Sequence, residues 1–198
     1  MSKALVMALA CCLLLTVALT ACSKDESHAG DTESAAVAGD SPSAEAYAQL
    51  QTELLEIQKT ATTQPKMMEA VALAASKLEG FIAAYPGTEE AKDAKLQLGM
   101  MFSSVGQFDK AVPVLKDYVK IGEEGDERVG YAHFFLAESY KSIDEFEKAK
   151  EQYKIFVEEY PLVNPKFLAA AQGSLEDIDV LKTLAVGNEP LPFTVEGL

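Results

Sequence analysis

Apolar residues recur three and four positions apart along most of the chain, which is the spacing of one face of an α-helix. Between residues 44 and 182 this pattern is broken only at turn signals, and no alternating run typical of a strand appears. The sequence therefore predicts an all-α protein. Its seven predicted helices cover residues 44–59, 68–85, 89–104, 109–121, 128–142 and 145–160, with the last beginning at the Asn164-Pro165 signal.

Two predicted hairpins share one pattern of small and aromatic residues, repeated after 38 residues. Gly99 in the first copy corresponds to Ala137 in the second, and Phe102 corresponds to Tyr140. A hairpin of this size cannot bury its apolar face alone, so it is expected to stack on a neighbour. The other matched positions are Phe108 with Phe146, Ala111 with Ala149, and Tyr118 with Phe156.

A third, more divergent copy precedes these two, because Phe81, Tyr118 and Phe156 are separated by 37 and 38 residues. The order of large, small and aromatic residues, closed by Pro161, resembles the tetratricopeptide repeat. That family has a period of about 34, so the extra residues are placed in the polar segment 122–127. The resemblance implies a helical-hairpin solenoid with about three hairpins and a C-terminal capping helix. It also implies a binding scaffold.

The N-terminus has the features of a secretory signal, with Lys3 followed by the apolar run Ala4–Leu19. The sequence up to Cys22 resembles the bacterial lipobox, in which the cysteine is acylated and becomes the mature N-terminus. Because Ser23 follows, the resemblance implies sorting to the outer membrane, facing the periplasm. A plain transmembrane anchor is the alternative, since the 18 uncharged residues 4–21 could nearly span a bilayer.

The predicted organisation has four parts. A signal peptide (1–21) precedes a disordered tether (22–42), whose composition offers too little apolar surface to offset chain entropy. The tetratricopeptide-like domain covers 43–183, and an extended tail covers 184–198. The tail, from Gly187 to Leu198, weakly resembles the lead-in of membrane-tethered thioredoxin-like proteins. It is either a disordered C-terminus or the start of a thioredoxin-like domain in a truncated fusion.

Charge and residue content favour a non-enzymatic protein. A formal net charge of −14 excludes an electrostatic footprint for nucleic acid. The cysteines are Cys11, Cys12 and Cys22, and the imidazoles are His28 and His133. With no phosphate loop, metal-ligand spacing or catalytic triad, we predict no catalytic, cofactor or metal site and no small-molecule substrate. His133 is expected to pack in the core.

The resemblance also suggests where a partner would bind. In tetratricopeptide arrays the first helix of each hairpin lines a concave groove, which suits an extended or helical peptide. Two alternatives stay open, namely that the array closes on itself or that this strip packs under the seventh helix. The corresponding positions are Asp93, Leu96, Met100 and Ser103 in one copy, and Tyr131, Phe134, Glu138 and Lys141 in the next.

The leading hypothesis is a lipid-anchored periplasmic adaptor that holds an envelope protein or peptide. The lipobox and repeats together resemble the lipoprotein of the outer-membrane β-barrel assembly machinery, whose array is longer, and other periplasmic repeat proteins. The rival hypothesis is the helical module of a truncated thioredoxin-like thiol-disulfide oxidoreductase fusion. An enzyme acting by itself comes third, because no nucleophile or metal set is present.

Overall fold

The computed structural model describes residues 41–123 and 125–186, with backbone alone for 181–186. These residues form seven α-helices and no strand, which confirms the predicted all-α class. Outside the described residues lie the predicted signal peptide, Cys22, nearly all of the tether and the stretch 187–198. The helices are α1 (Pro42–Thr60), α2 (Gln64–Ala84), α3 (Glu89–Ser104), α4 (Phe108–Ile121), α5 (Glu127–Ser142), α6 (Phe146–Glu159) and α7 (Pro165–Val186).

The helices are grouped in two compact units that divide after Gly122. In the first unit α1 packs on α2, α2 on α3, and α3 on α4. In the second unit α5 packs on α6, and α6 on α7. Each unit is therefore built from helices that are neighbours in sequence, which is the packing expected of helical hairpins.

Helices α1, α3 and α7 begin with a side-chain cap, and one of these caps lies at the predicted Asn164-Pro165 signal. The Ser41 Oγ accepts a hydrogen bond from the Ala44 N–H at 3.2 Å, and the Thr88 Oγ1 accepts one from the Ala91 N–H at 3.2 Å. The Asn164 Oδ1 does the same for the Lys166 N–H at 3.0 Å. These bonds satisfy amides that have no partner within their own helix. Helix α2 begins four residues before its predicted start at 68, because a proline is accepted in its first turn.

The second helix of each hairpin buries a small residue, a large residue and an aromatic ring at matching positions. A small residue is also required on the first helix of the α3–α4 hairpin, because a Cβ on Gly99 of α3 would lie 2.6 Å from the Leu115 Cδ2 of α4. The register of three copies is therefore confirmed. The buried sets are Ala74, Leu78 and Phe81 in α2, Ala111, Leu115 and Tyr118 in α4, and Ala149, Tyr153 and Phe156 in α6.

The α3–α4 and α5–α6 hairpins end their first helix in the same Schellman motif, although only one of them uses glycine. The Gln107 N–H donates to the Phe102 carbonyl at 2.9 Å, and the Glu145 N–H donates to the Tyr140 carbonyl at 2.9 Å. The motif needs a left-handed residue just before the donor. Gly106 has φ 80° in the first copy, whereas Asp144 has φ 61° in the second.

Replacing Asp144 with glycine is expected to raise the free energy of unfolding by about 0.5–1 kcal/mol. A left-handed conformation costs an L-residue roughly 1–2 kcal/mol, and the larger unfolded-state entropy of glycine cancels only part of that gain. Chemical denaturation of Asp144→Gly measures the effect. The opposite kind of change, Gly106→Ala, should destabilise the protein, because the left-handed conformation at this position is costly for alanine. A less stable Asp144→Gly variant would show that the aspartate side chain stabilises this turn.

Candidate protein-interaction site

In the first unit, most of the predicted groove residues lie in the core. Leu96 is 4 % exposed, Met100 is 2 % exposed and Ser103 is 7 % exposed, while Asp93 is half-buried. The prediction of an open apolar strip therefore needs correction for α3. A helix with neighbours on several sides buries both the packed positions and the positions that flank them.

In the second unit, the predicted strip is covered by α7. The Phe167 ring packs edge-on against Tyr131, with ring centroids 5.3 Å apart, and against Phe134 at 4.9 Å. Tyr131 and Phe134 are each 6 % exposed as a result. The sequence left open whether this strip packs under the seventh helix, and the structure shows that arrangement.

The polar end of the same strip is also joined to α6 and α7. The Tyr153 hydroxyl donates to the Glu138 Oε1, and the Lys141 ammonium donates to the Ser174 Oγ at 2.8 Å. Burial, together with the negative charge of Glu138, raises the pKa of the Tyr153 hydroxyl well above its ordinary value. The phenol therefore stays protonated and remains a donor. Glu138 and Lys141 thus help to hold the second unit together.

One buried amide in the first unit was not suggested by the sequence pattern. The Gln51 Nε2 donates to the Gln97 Oε1 at 3.0 Å, which joins α1 to α3. The Nε2 of Gln97 has no hydrogen-bond partner within the part of the chain that the structure describes. A buried donor without an acceptor costs about 1–3 kcal/mol, so this position is a weak point of the α1–α3 contact.

The predicted core position of His133 is confirmed. Its side chain is 6 % exposed, and its Nδ1 lies 2.8 Å from the Gln152 Oε1. With that oxygen as the acceptor, the neutral imidazole carries its proton on Nδ1. Burial lowers the pKa of His133, although the Gln152 hydrogen bond and the charge of Glu159 partly oppose this effect. The packing thus favours the neutral ring.

The lowered pKa of His133 predicts a stability that falls with acidification. The unfolded chain takes up a proton near the ordinary histidine pKa of about 6.5, whereas the folded ring does so only at lower pH. Stability from this group is therefore complete above that pH and is lost as the pH falls below it. Denaturation at neutral and mildly acidic pH should show the loss, and His133→Gln should reduce it. An unchanged pH profile in the variant would contradict this assignment.

A shallow cleft in the first unit has partly exposed apolar surface, which the packed strip lacks. Its volume is about 320 Å³, and it is formed by α2, α3 and α4. The floor is apolar, because Leu98 is buried while Ile82 and Val114 are half-exposed. Ala83 and Pro113 lie exposed at its edge. The remaining lining residues are charged: Glu79, Lys95 and Asp117.

The described residues contain neither a metal-ligand cluster nor a membrane-spanning helix. Within residues 41–123 and 125–186, no group of three or more His, Cys, Asp or Glu side chains could hold a metal ion. None of the helices in the same ranges combines the length and apolar character needed to cross a membrane.

Comparison with known proteins identifies the hairpin type. The family model for the tetratricopeptide repeat matches residues 131–162, which cover most of α5, all of α6 and the turn between them. The protein is thus tetratricopeptide-like, with helical hairpins of a kind that generally serves protein–protein interaction. No curated protein and no solved structure matches this chain.

Proposed function

We propose that this protein is a non-enzymatic adaptor of the bacterial cell envelope, lipid-anchored through Cys22 and holding a protein or peptide partner. The repeat match at residues 131–162 is the observation that carries the scaffold role. The anchor is supported by the resemblance of Leu19-Thr20-Ala21-Cys22 to a lipobox. The serine at position 23 supports the outer membrane, facing the periplasm, as its location.

The partner site that fits the packing best is the cleft of α2, α3 and α4. The strip predicted on α3 and α5 is largely packed, so its apolar side chains are engaged within the protein. The cleft combines a partly exposed apolar floor with charged groups at its edge, which is the composition of a side-chain pocket. A peptide with an aliphatic anchor beside a basic residue would complement the floor and the carboxylates of Glu79 and Asp117.

The anchor is tested by changing Cys22 to alanine. An acyl chain supplies the hydrophobic attachment, so the variant should accumulate as precursor or leave the membrane fraction. Fractionation of cell envelopes and metabolic labelling with a fatty acid measure both effects. Normal detergent partitioning of Cys22→Ala would contradict the lipid anchor and leave the scaffold role untouched.

The partner site is tested by filling the cleft from its exposed edge. Ala83→Trp adds a large ring at the mouth without removing a buried side chain, so partner capture from envelope extracts should fall while the melting temperature changes little. Ala72→Trp is the matched control, because Ala72 is exposed on the same helix but does not line the cleft. Equal capture by wild type and both variants would place the partner elsewhere on the protein.

A further inference from the structure

Helix α7 has an inner face that packs within the second unit and an outer face that is exposed among the described residues. On the inner face Ala171, Ser174 and Ile178 are buried. The outer face holds exposed residues spaced three and four apart, which places them on one side of the helix. These outer-face residues are Lys166, Ala169, Gly173, Glu176 and Val180.

Val180 is the large apolar residue of this face, and it is 57 % exposed near the end of the helix region with described side chains. The charged residues of this face, Lys166 and Glu176, form no ion pair with any described residue of the same chain. Among the described residues, the outer face therefore carries two unpaired charges and one large apolar side chain.

Two copies of this face complement each other in charge and side-chain size when the helices run antiparallel. In an antiparallel pair of α7 helices centred on position 171, Lys166 of one copy stands opposite Glu176 of the other. In the same register the small residues Ala169 and Gly173 face each other. A parallel pair would instead place each charge beside its own copy, which is unfavourable.

We propose that the partner of this face is a second copy of the chain, bound through an antiparallel α7–α7 contact with two-fold symmetry. The symmetry repeats each ion pair and each apolar contact twice, so one helix face supplies both halves of the interface. A Cβ built on Gly173 meets nothing within 4 Å in the single chain, so the space above it is open for a close helix approach. This contact is independent of the partner cleft in the first unit.

Charge exchange tests the proposed register. Sedimentation velocity of the full chain in mild detergent should show a dimer, and Lys166→Glu or Glu176→Lys alone should weaken self-association by about tenfold, because like charges would then meet. The double variant Lys166→Glu with Glu176→Lys should recover the wild-type association, since each ion pair is restored with reversed sign. Glu158→Lys makes the same change in charge on an exposed site of α6 and should leave association unchanged.

A bulky residue at the centre provides a second test. Gly173→Leu should abolish the dimer while helix content and unfolding of the monomer stay close to wild type, because the monomer has room for the side chain. A wild-type chain that stays monomeric at roughly 100 µM, well above the concentrations that stable interfaces need, would overturn the proposal. A double charge variant that associates no better than the single variants would overturn the register.

Discussion

Replacing Phe134 with alanine is expected to lower the free energy of unfolding by about 3–5 kcal/mol, the cost typical of a large aromatic side chain removed from a core. The ring lies within 5.5 Å, between centroids, of Phe135, Phe156 and Phe167, and is 6 % exposed. Its removal leaves a cavity where α5, α6 and α7 meet. Chemical denaturation followed by circular dichroism measures the loss.

This substitution separates the two interpretations of the predicted groove. A residue that lined an open binding surface would lose partner capture with little change in stability. Leu73→Ala is the control, because Leu73 is 50 % exposed and its truncation should cost no more than about 0.5 kcal/mol. A Phe134→Ala variant as stable as wild type would show that the aromatic cluster beneath α7 contributes little.

Gly130→Ala is expected to destabilise the protein, whereas the same change at Gly80 should stabilise it. A Cβ on Gly130 would lie 2.8 Å from the Tyr160 Cγ and 3.0 Å from the Tyr160 Cβ. The tyrosine Cβ is fixed to its backbone, so rotation of the ring cannot clear the overlap. Overpacking typically costs about 1–3 kcal/mol, and alanine's better helix propensity returns only about 1 kcal/mol of it.

Gly80 is the matched case because its Cβ would meet nothing within 4 Å. Only the propensity gain of about 1 kcal/mol then remains, so the two substitutions should differ in sign. Thermal or chemical denaturation of both variants measures the difference. Equal effects of the two alanines would mean that α5 moves away from Tyr160 without cost, and that the close contact is not a constraint.

The sequence was most informative where spacing alone determines structure. Gly99, Ala111 and Ala149 occupy the small-residue positions of the repeated pattern, and each is buried in the structure. Such positions can be predicted because the 38-residue repeat places a small residue at the same position in both copies. The caps at Ser41 and Thr88 likewise follow from local sequence, since each depends on a few neighbouring residues.

The exposure of the groove residues could not be predicted from spacing in the same way. Positions that flank the packed ones were identified by register, but register does not reveal which other element covers them. Tyr131 and Phe134 are covered by Phe167, which lies more than thirty residues further along the chain. The close contact of Gly130 with Tyr160 was missed for the same reason, because no local pattern connects the two residues.

The pairing of each helix mainly with its sequence neighbour also has a kinetic consequence. Contacts between neighbouring helices close short loops, so little chain entropy must be lost before the first apolar side chains meet. Helical proteins with such low contact order fold within roughly microseconds to milliseconds. Folding of this chain should accordingly be fast, proceed by the growth of local hairpins, and show no slow phase from long-range pairing.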